Sequence, residues 1–297
     1  LPVEPSNAYN PTPLFFHHTH LFFQIPIMPK ISVTRLQQMK QQGEKIAMLT
    51  VYDASFAALQ AAAEIDMLLV GDSLGMVLQG HDTTLPVTVT DMIYHVSAVK
   101  RGANNSFIVA DMPFLSYSDV PSALKNAGQL VQAGAAMVKI EGSEHLTPIV
   151  QALHQQGIPV CVHIGLTPQF IHQLGGYKVQ GKTVDGKASA AEQLVVTAQK
   201  LQSAGVEMLL IECVPAPLAK RITAQLNIPV IGIGAGAGCD GQVLVMHDML
   251  GANLKPLPRF VHNFLADQPS LLAAFIAYRD AVKNGSFPTD AHSYWTE

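Results

Sequence analysis

Eight short apolar runs, each ending in a polar residue or glycine and most followed by a helical stretch, limit this chain's possible folds more than any other feature. The runs are Ile46–Val51, Met67–Val70, Phe107–Ala110, Ala136–Ile140, Pro159–Val162, Met208–Ile211, Pro229–Ile233 and Val243–Met246. They alternate little between apolar and polar residues, as parallel strands covered on both faces do. Helical patterning occupies Ser55–Ala63, Val120–Gln132, His145–Gln156, Ala188–Ser203 and Pro217–Leu226, and Gly134, Gly157 and Gly205 stand where C-caps belong. This α/β pattern predicts a single (β/α)8 TIM barrel. A doubly wound sheet would need a nucleotide fingerprint after an early strand, and the sequence has none. Leu271–Asn284 reads as a closing amphipathic helix, and no linker divides residues 28–297, which form one expected catalytic domain. Two long stretches without periodicity, Gly71–Val87 and Thr167–Lys187, read as lids or binding loops.

Composition narrows the function. Of 297 residues, 48% are hydrophobic and only 13% charged, which excludes a disordered chain. The net charge of −4 offers no basic footprint for nucleic acid. No apolar window approaches the roughly 18 residues of a membrane span. Cys161, Cys213 and Cys239 are scattered and form no C-x-x-C pair, so a reducing, cytoplasmic setting is expected. Residues 1–27 differ from the rest. They carry five prolines and no Lys or Arg, so they lack the basic start of a targeting signal and read as a poorly ordered leader. His17, His18 and His20 lie in this leader and, without a folded cage, do not make a metal site.

Barrel enzymes place their chemistry at the C-terminal ends of the strands. Those positions carry Asp53, Asp72, Ser73, Asp111, Lys139, Glu141, His163 and Glu212, then Gly232–Gly236, then His247 and Asp248. Singly, each has an ordinary reading as a cap, a turn or a satisfied core group. Together, several carboxylates, a lysine and a histidine converge on one rim of a chain with few charges, which random capping does not predict. Two or three carboxylates without a thiolate favour a hard cation such as Mg²⁺. A 2-oxo acid can offer such an ion two oxygens, and its C–H beside the ketone is thereby acidified. A carboxylate away from the ion would take that proton, and Lys139 would neutralise the substrate's carboxylate or enolate oxygen. The reaction class is metal-assisted enolisation followed by making or breaking a carbon–carbon bond.

Two strings imitate nucleotide motifs. Gly176–Thr183 satisfies the P-loop pattern, but no strong strand precedes it and Asp185-Gly186 interrupts any following helix. Gly232–Ala237 fits a relaxed dinucleotide pattern but comes too late in the chain. It reads as a glycine-rich loop that lets a ligand approach, with a tight turn as the alternative.

Nine strings, taken in order over about residues 28–294, resemble the ketopantoate hydroxymethyltransferase family. They are Val-Gly-Asp-Ser-Leu-Gly-Met (70–76), Gln-Gly-His-Asp-Thr-Thr-Leu-Pro-Val (79–87), Ala-Asp-Met-Pro-Phe (110–114), Met-Val-Lys-Ile-Glu-Gly (137–142), His-Ile-Gly-Leu-Thr-Pro-Gln (163–169), Gly-Gly-Tyr-Lys-Val-Gln-Gly (175–181), Glu-Cys-Val-Pro (212–215), Ile-Gly-Ile-Gly-Ala-Gly (231–236) and Asp-Gly-Gln-Val-Leu-Val-Met-His-Asp (240–248). The resemblance implies a Mg²⁺-dependent barrel that moves a one-carbon unit from 5,10-methylenetetrahydrofolate to 3-methyl-2-oxobutanoate. The product would be 2-dehydropantoate, on the route to pantothenate. It implies that Asp72 and Asp111 hold Mg²⁺, with Glu141 joining directly or through water. Asp72, Ser73, Asp111 and Lys139 would contact the 2-oxo acid, His163 would line the site, and Glu212 would accept the proton. It also implies a cytoplasmic homodecamer with small-molecule partners. Lys182 departs from the Arg common in the family, and the Thr183–Ala188 loop varies. The competing readings are a related 2-oxo-acid lyase or mutase that needs no folate, a nucleotide-binding module at Gly176–Thr183, and an inactive structural barrel.

Overall fold

A computed structural model describes residues 30–182, 189–253 and 256–295. The leader at 1–27 with its histidines, and the variable loop Thr183–Ala188, lie outside the described residues. Eight parallel strands close into a barrel in chain order: β1 (Ile46–Thr50), β2 (Met67–Val70), β3 (Phe107–Asp111), β4 (Met137–Glu141), β5 (Val160–Gly165), β6 (Met208–Glu212), β7 (Val230–Ile233) and β8 (Gly241–Leu244). The seam is β1 against β8, with Ile46 opposite Gly241. The helices are α1 (Val33–Gln42), α2 (Ala54–Ala62), α3 (Leu74–Val77), α4 (Val89–Gly102), α5 (Val120–Ala133), α6 (Thr147–Gln155), α7 (Ile171–Leu174), α8 (Ser189–Ala204), α9 (Ala216–Gln225), α10 (Met246–Met249) and α11 (Leu271–Lys283). The predicted single (β/α)8 barrel is the observed fold. Among the described residues, no helix is long and apolar enough to cross a membrane.

The strands are apolar throughout because each has two buried faces. Met48, Leu69, Val109, Met137, Cys161, Leu210 and Ile231 belong to one packed cluster inside the barrel. Their chain neighbours, such as Leu49, Leu68, Ile108, Val138 and Val162, belong to a second cluster that includes the helices. Side chains alternate faces along a strand. Inward positions therefore recur every second residue, and two residues beyond Val109, Met137 and Leu210 they become Asp111, Lys139 and Glu212. The barrel thus changes from an apolar floor to a polar rim along the same inward rows.

The floor is closed by α1. Ser32 caps its start by accepting from Arg35 N at 3.1 Å, and Gly43 ends it in the left-handed conformation. Its Leu36 and Met39 pack against the inward strand residues. Lys40 Nζ donates to Asp240 Oδ2 at 2.6 Å and to the Thr223 carbonyl at 2.9 Å, tying the plug to the start of β8 and the outer layer.

Several strand ends shift by one residue, and three features depart further from the sequence reading. The eighth strand is Gly241–Leu244, and Met246 instead opens α10, its N–H donating to Thr50 Oγ1 at 2.8 Å. The fifth strand runs on to Gly165, which pairs with Glu212, so His163 lies within the strand and does not end it. The helix α4 was not anticipated, although its capping box is legible as Thr88 with Asp91 three residues later. Its apolar face of Met92, Val96 and Val99 is buried.

Met39 is fully buried in the floor. Met39→Ala is expected to lower the unfolding free energy by about 2–5 kcal/mol in urea titration, the usual result of hollowing a core. An unchanged midpoint would mean that α1 does not close the barrel.

Candidate active site

The polar rim is built around Lys139, which is buried inside the barrel on β4. Its Nζ lies 3.2 Å from Asp111 Oδ1 and donates to Glu141 Oε1 at 3.1 Å. The register explains this grouping, because Asp111 is the direct partner of Lys139 across β3 and β4. Glu141 is likewise the partner of His163 across β4 and β5. Burial disfavours the charge on Lys139, but Asp111 and Glu141 outweigh it and raise its pKa well above the ordinary lysine value.

Glu141 has both carboxylate oxygens engaged. Oε1 accepts from Lys139 and meets His163 Nδ1 at 3.1 Å, while Oε2 accepts from the Gln169 backbone N–H at 3.0 Å. Burial opposes its ionisation, yet Lys139 and His163 hold its pKa at about 2. Burial also disfavours the charge on His163, but Glu141 raises it to about 9, making the ring an imidazolium at neutral pH. The other ring nitrogen, Nε2, stands 3.3 Å from Glu212 Oε2, within ion-pair distance but without an aligned hydrogen bond. His163 therefore lies between a sealed carboxylate and an open one. The Glu212 side chain is 14% exposed and that of Glu141 1%.

Asp72 follows β2 and meets Asp111 through the backbone, its N–H donating to Asp111 Oδ2 at 3.0 Å. Burial, then the charges of Asp111 and Glu141, push the Asp72 carboxyl well above the usual carboxylate range. Asp111 is raised too, by burial and by Glu141 against the pull of Lys139, whose ammonium faces its buried Oδ1 at 3.2 Å without an aligned hydrogen bond. Gly71 makes the close approach possible, since a Cβ there would stand 2.7 Å from Ser73 Oγ and 3.5 Å from Asp111 Oδ2. Gly165 does the same for β6, where a Cβ would meet the Glu212 carbonyl at 2.4 Å. Ser73 Oγ shares a hydrogen bond of 2.9 Å with the buried Tyr52 hydroxyl.

Three buried carboxylates around one lysine leave an excess of negative charge in a site with little water. Oxygen donors without thiolate suit a hard divalent cation. Among the described residues, no group of three His, Cys, Asp or Glu side chains forms a metal cage by itself.

The structure thus brings Asp72, Ser73, Asp111, Lys139, Glu141, His163 and Glu212 to one rim. It assigns Asp53 to capping α2, where its Oδ1 accepts from Ser55 and Phe56 N–H groups. His247 lies behind Tyr52, their ring centroids 5.6 Å apart, and Asp248 is hydrogen-bonded to Asn253. The loop after β7 is a packed turn. A Cβ at Gly234 would stand 2.9 Å from the Phe260 ring, and one at Gly236 would stand 2.5 Å from Ala216 Cβ. The P-loop imitation follows α7 rather than a strand, and its Gly181 faces Leu194 and Leu218; Thr183 lies outside the described residues. The two long loops meet where the Tyr177 hydroxyl stands 3.7 Å from Met76 Sδ, and the second is tied to the end of β6 by Gln180 N–H donating to the Cys213 carbonyl at 2.9 Å. Tyr117 and Gln169, which bind the cluster together, were missed. Gln169 ends one of the quoted strings, but no spacing in a single sequence marks Tyr117.

Comparison with solved structures finds the same fold at low identity. A 2,3-dimethylmalate lyase of the PEP mutase/isocitrate lyase superfamily aligns with TM-score 0.54 at 16% identity, over 74% of this chain and 82% of that one. A phosphonopyruvate hydrolase in complex with oxalate and Mg²⁺ aligns with TM-score 0.57 at 10% identity, over 74% and 83%. Among curated proteins, the 3-methyl-2-oxobutanoate hydroxymethyltransferase of Marinobacter nauticus is 53% identical over 264 residues, covering 89% of this chain and 98% of that protein. The 3-methyl-2-oxobutanoate hydroxymethyltransferase 2 of Pseudomonas fluorescens is 55% identical over 268 residues, covering 90% and 99%. The family described as ketopantoate hydroxymethyltransferase matches residues 30–290, and the chain belongs to that family.

Proposed function

We propose that this chain transfers a hydroxymethyl group from 5,10-methylenetetrahydrofolate to 3-methyl-2-oxobutanoate in a Mg²⁺-dependent reaction. The product is 2-dehydropantoate, the first step toward pantothenate. The names of its relatives support the acceptor and the group transferred. The observation that carries the reading is the convergence of Asp72, Asp111 and Glu141 around Lys139, beside one carboxylate, Glu212, left open at the rim.

Asp72 and Asp111 would hold the ion, and Glu141, whose oxygens are already engaged, would reach it through water. When bound, Mg²⁺ supplies Lewis-acid polarisation of the 2-oxo group and so acidifies the adjacent C–H. Lys139 offsets negative charge on the substrate carboxylate or its 2-oxo oxygen. Ser73, its hydroxyl steered by Tyr52, contacts the acid from the β2 side, and His163 lines the opposite side. Glu212 takes the C3 proton, with His163 fixing the orientation of its carboxylate. Residues 28–297 act as one catalytic domain, in a cytoplasmic homodecamer whose partners are small molecules.

Turnover should require both added Mg²⁺ and methylenetetrahydrofolate and should stop on chelation. Product formed from the 2-oxo acid without folate would instead place the chain with lyases or mutases. Asp72→Ala and Asp111→Ala should each weaken Mg²⁺-dependent binding of 3-methyl-2-oxobutanoate in calorimetry at least tenfold, in line with the loss of about 1.4 kcal/mol or more. Unchanged affinity in both would remove them as ligands. Glu212→Gln should bind the acid normally but exchange its C3 proton with solvent about 10²–10⁴-fold more slowly. Exchange at the wild-type rate would move the base elsewhere.

A further inference from the structure

We infer that Gln169 and Tyr117 form a positioning pair that holds Asp72 in the orientation that receives the divalent cation; this rests on the cation reading above. Gln169 lies just beyond β5, at the start of the long loop, and is buried beneath the rim. Its Nε2 donates to Asp72 Oδ2 at 2.8 Å and to the Met112 carbonyl at 3.0 Å. Its Oε1 accepts from the Tyr117 hydroxyl at 2.5 Å, and its backbone N–H donates to Glu141 Oε2 at 3.0 Å. The Tyr117 oxygen in turn accepts from the Glu141 backbone N–H at 3.1 Å.

The proton directions in this chain follow from its ends. A carbonyl can only accept, so the amide must present its NH₂ to Met112 and therefore to Asp72. A backbone N–H can only donate, so the Tyr117 oxygen accepts from Glu141; its one proton faces two acceptors, Gln169 Oε1 at 2.5 Å and the Glu141 carbonyl at 3.1 Å, and the shorter contact to Gln169 takes it. The hydrogen bonds thus run one way, from the β4 backbone through Tyr117 and Gln169 to the Asp72 carboxylate. Both amide protons of Gln169 are used, so the side chain has no alternative rotation that keeps its partners satisfied. The same residue grips two carboxylates, Asp72 after β2 and Glu141 on β4, that β3 separates in the sheet. One oxygen of the Asp72 carboxylate, Oδ2, is thereby pinned by Gln169, while the Asp72 backbone is tied to Asp111 Oδ2. Groups that orient metal ligands in this way typically control affinity or activity by 10–100-fold.

A merely structural pair would affect stability and leave cation affinity in the folded protein unchanged. The two are separated by electron paramagnetic resonance titration of the full chain with Mn²⁺, without substrate, at a temperature where circular dichroism shows native protein. Tyr117→Phe removes one oxygen and keeps the ring, and Gln169→Met keeps length without hydrogen bonds. Both are expected to bind Mn²⁺ roughly 10–100-fold more weakly than wild type. Wild-type affinity in the folded variants would overturn the inference. Should Gln169→Met fail to fold, Tyr117→Phe decides alone. No Mn²⁺ binding by the wild type would defeat the cation reading itself, a result distinct from equal binding by all three proteins.

Discussion

Burial of the Lys139 ammonium between Asp111 and Glu141 is the interaction on which the rest of the rim depends. A lone ammonium inside a barrel would be expelled or neutralised, and removing one partner of a buried pair typically costs about 3–5 kcal/mol. Here the two carboxylates hold the charge in place at 3.2 and 3.1 Å. The lysine in turn lets Glu141 remain ionised under a fully packed rim, and ionised Glu141 keeps His163 charged. What the lysine cannot do is neutralise three carboxylates. Asp72 is left with its pKa displaced upward, in the position where a divalent cation would relieve the repulsion.

The barrel makes that arrangement possible through strand parity. Each strand buries one face against helices and the other inside the barrel, so the inward rows carry Met, Leu, Ile and Val at the floor. The same rows carry Asp111, Lys139, Glu141, His163 and Glu212 at the top. A shift of one residue in any strand would turn its charged groups into the apolar layer beneath the helices. Parallel pairing then sets Asp111 opposite Lys139 and Glu141 opposite His163, above a floor that Leu36 and Met39 of α1 close.

Most of this architecture was legible because fully buried parallel strands announce themselves as unbroken apolar runs. The uniformity that reveals the strands also hides their parity, so strand ends could be listed but inward and outward positions could not be told apart. Hence Asp53, which caps α2, stood beside true rim residues such as Asp111, and His163 was taken as the end of a strand that runs on to Gly165. The glycine string after β7 was read as a ligand approach with a tight turn as the alternative, and Phe260, Tyr294 and Ala216 fill the space in favour of the turn. Those contacts come from distant parts of the chain, and no local pattern foretells them. Tyr117 and Gln169 escaped for the same reason. Their partners lie 24 and 97 residues away in sequence, and only the folded rim shows that they link Glu141 to Asp72.

The most direct test of the account is proton NMR of 3-methyl-2-oxobutanoate in D₂O with the wild-type protein and Mg²⁺, before and after adding methylenetetrahydrofolate. The account predicts loss of the C3 proton signal once protein and Mg²⁺ are both present, and 2-dehydropantoate only after the folate is added. A C3 signal that persists under every condition would contradict the reading of this rim as a proton-abstracting, cation-binding site.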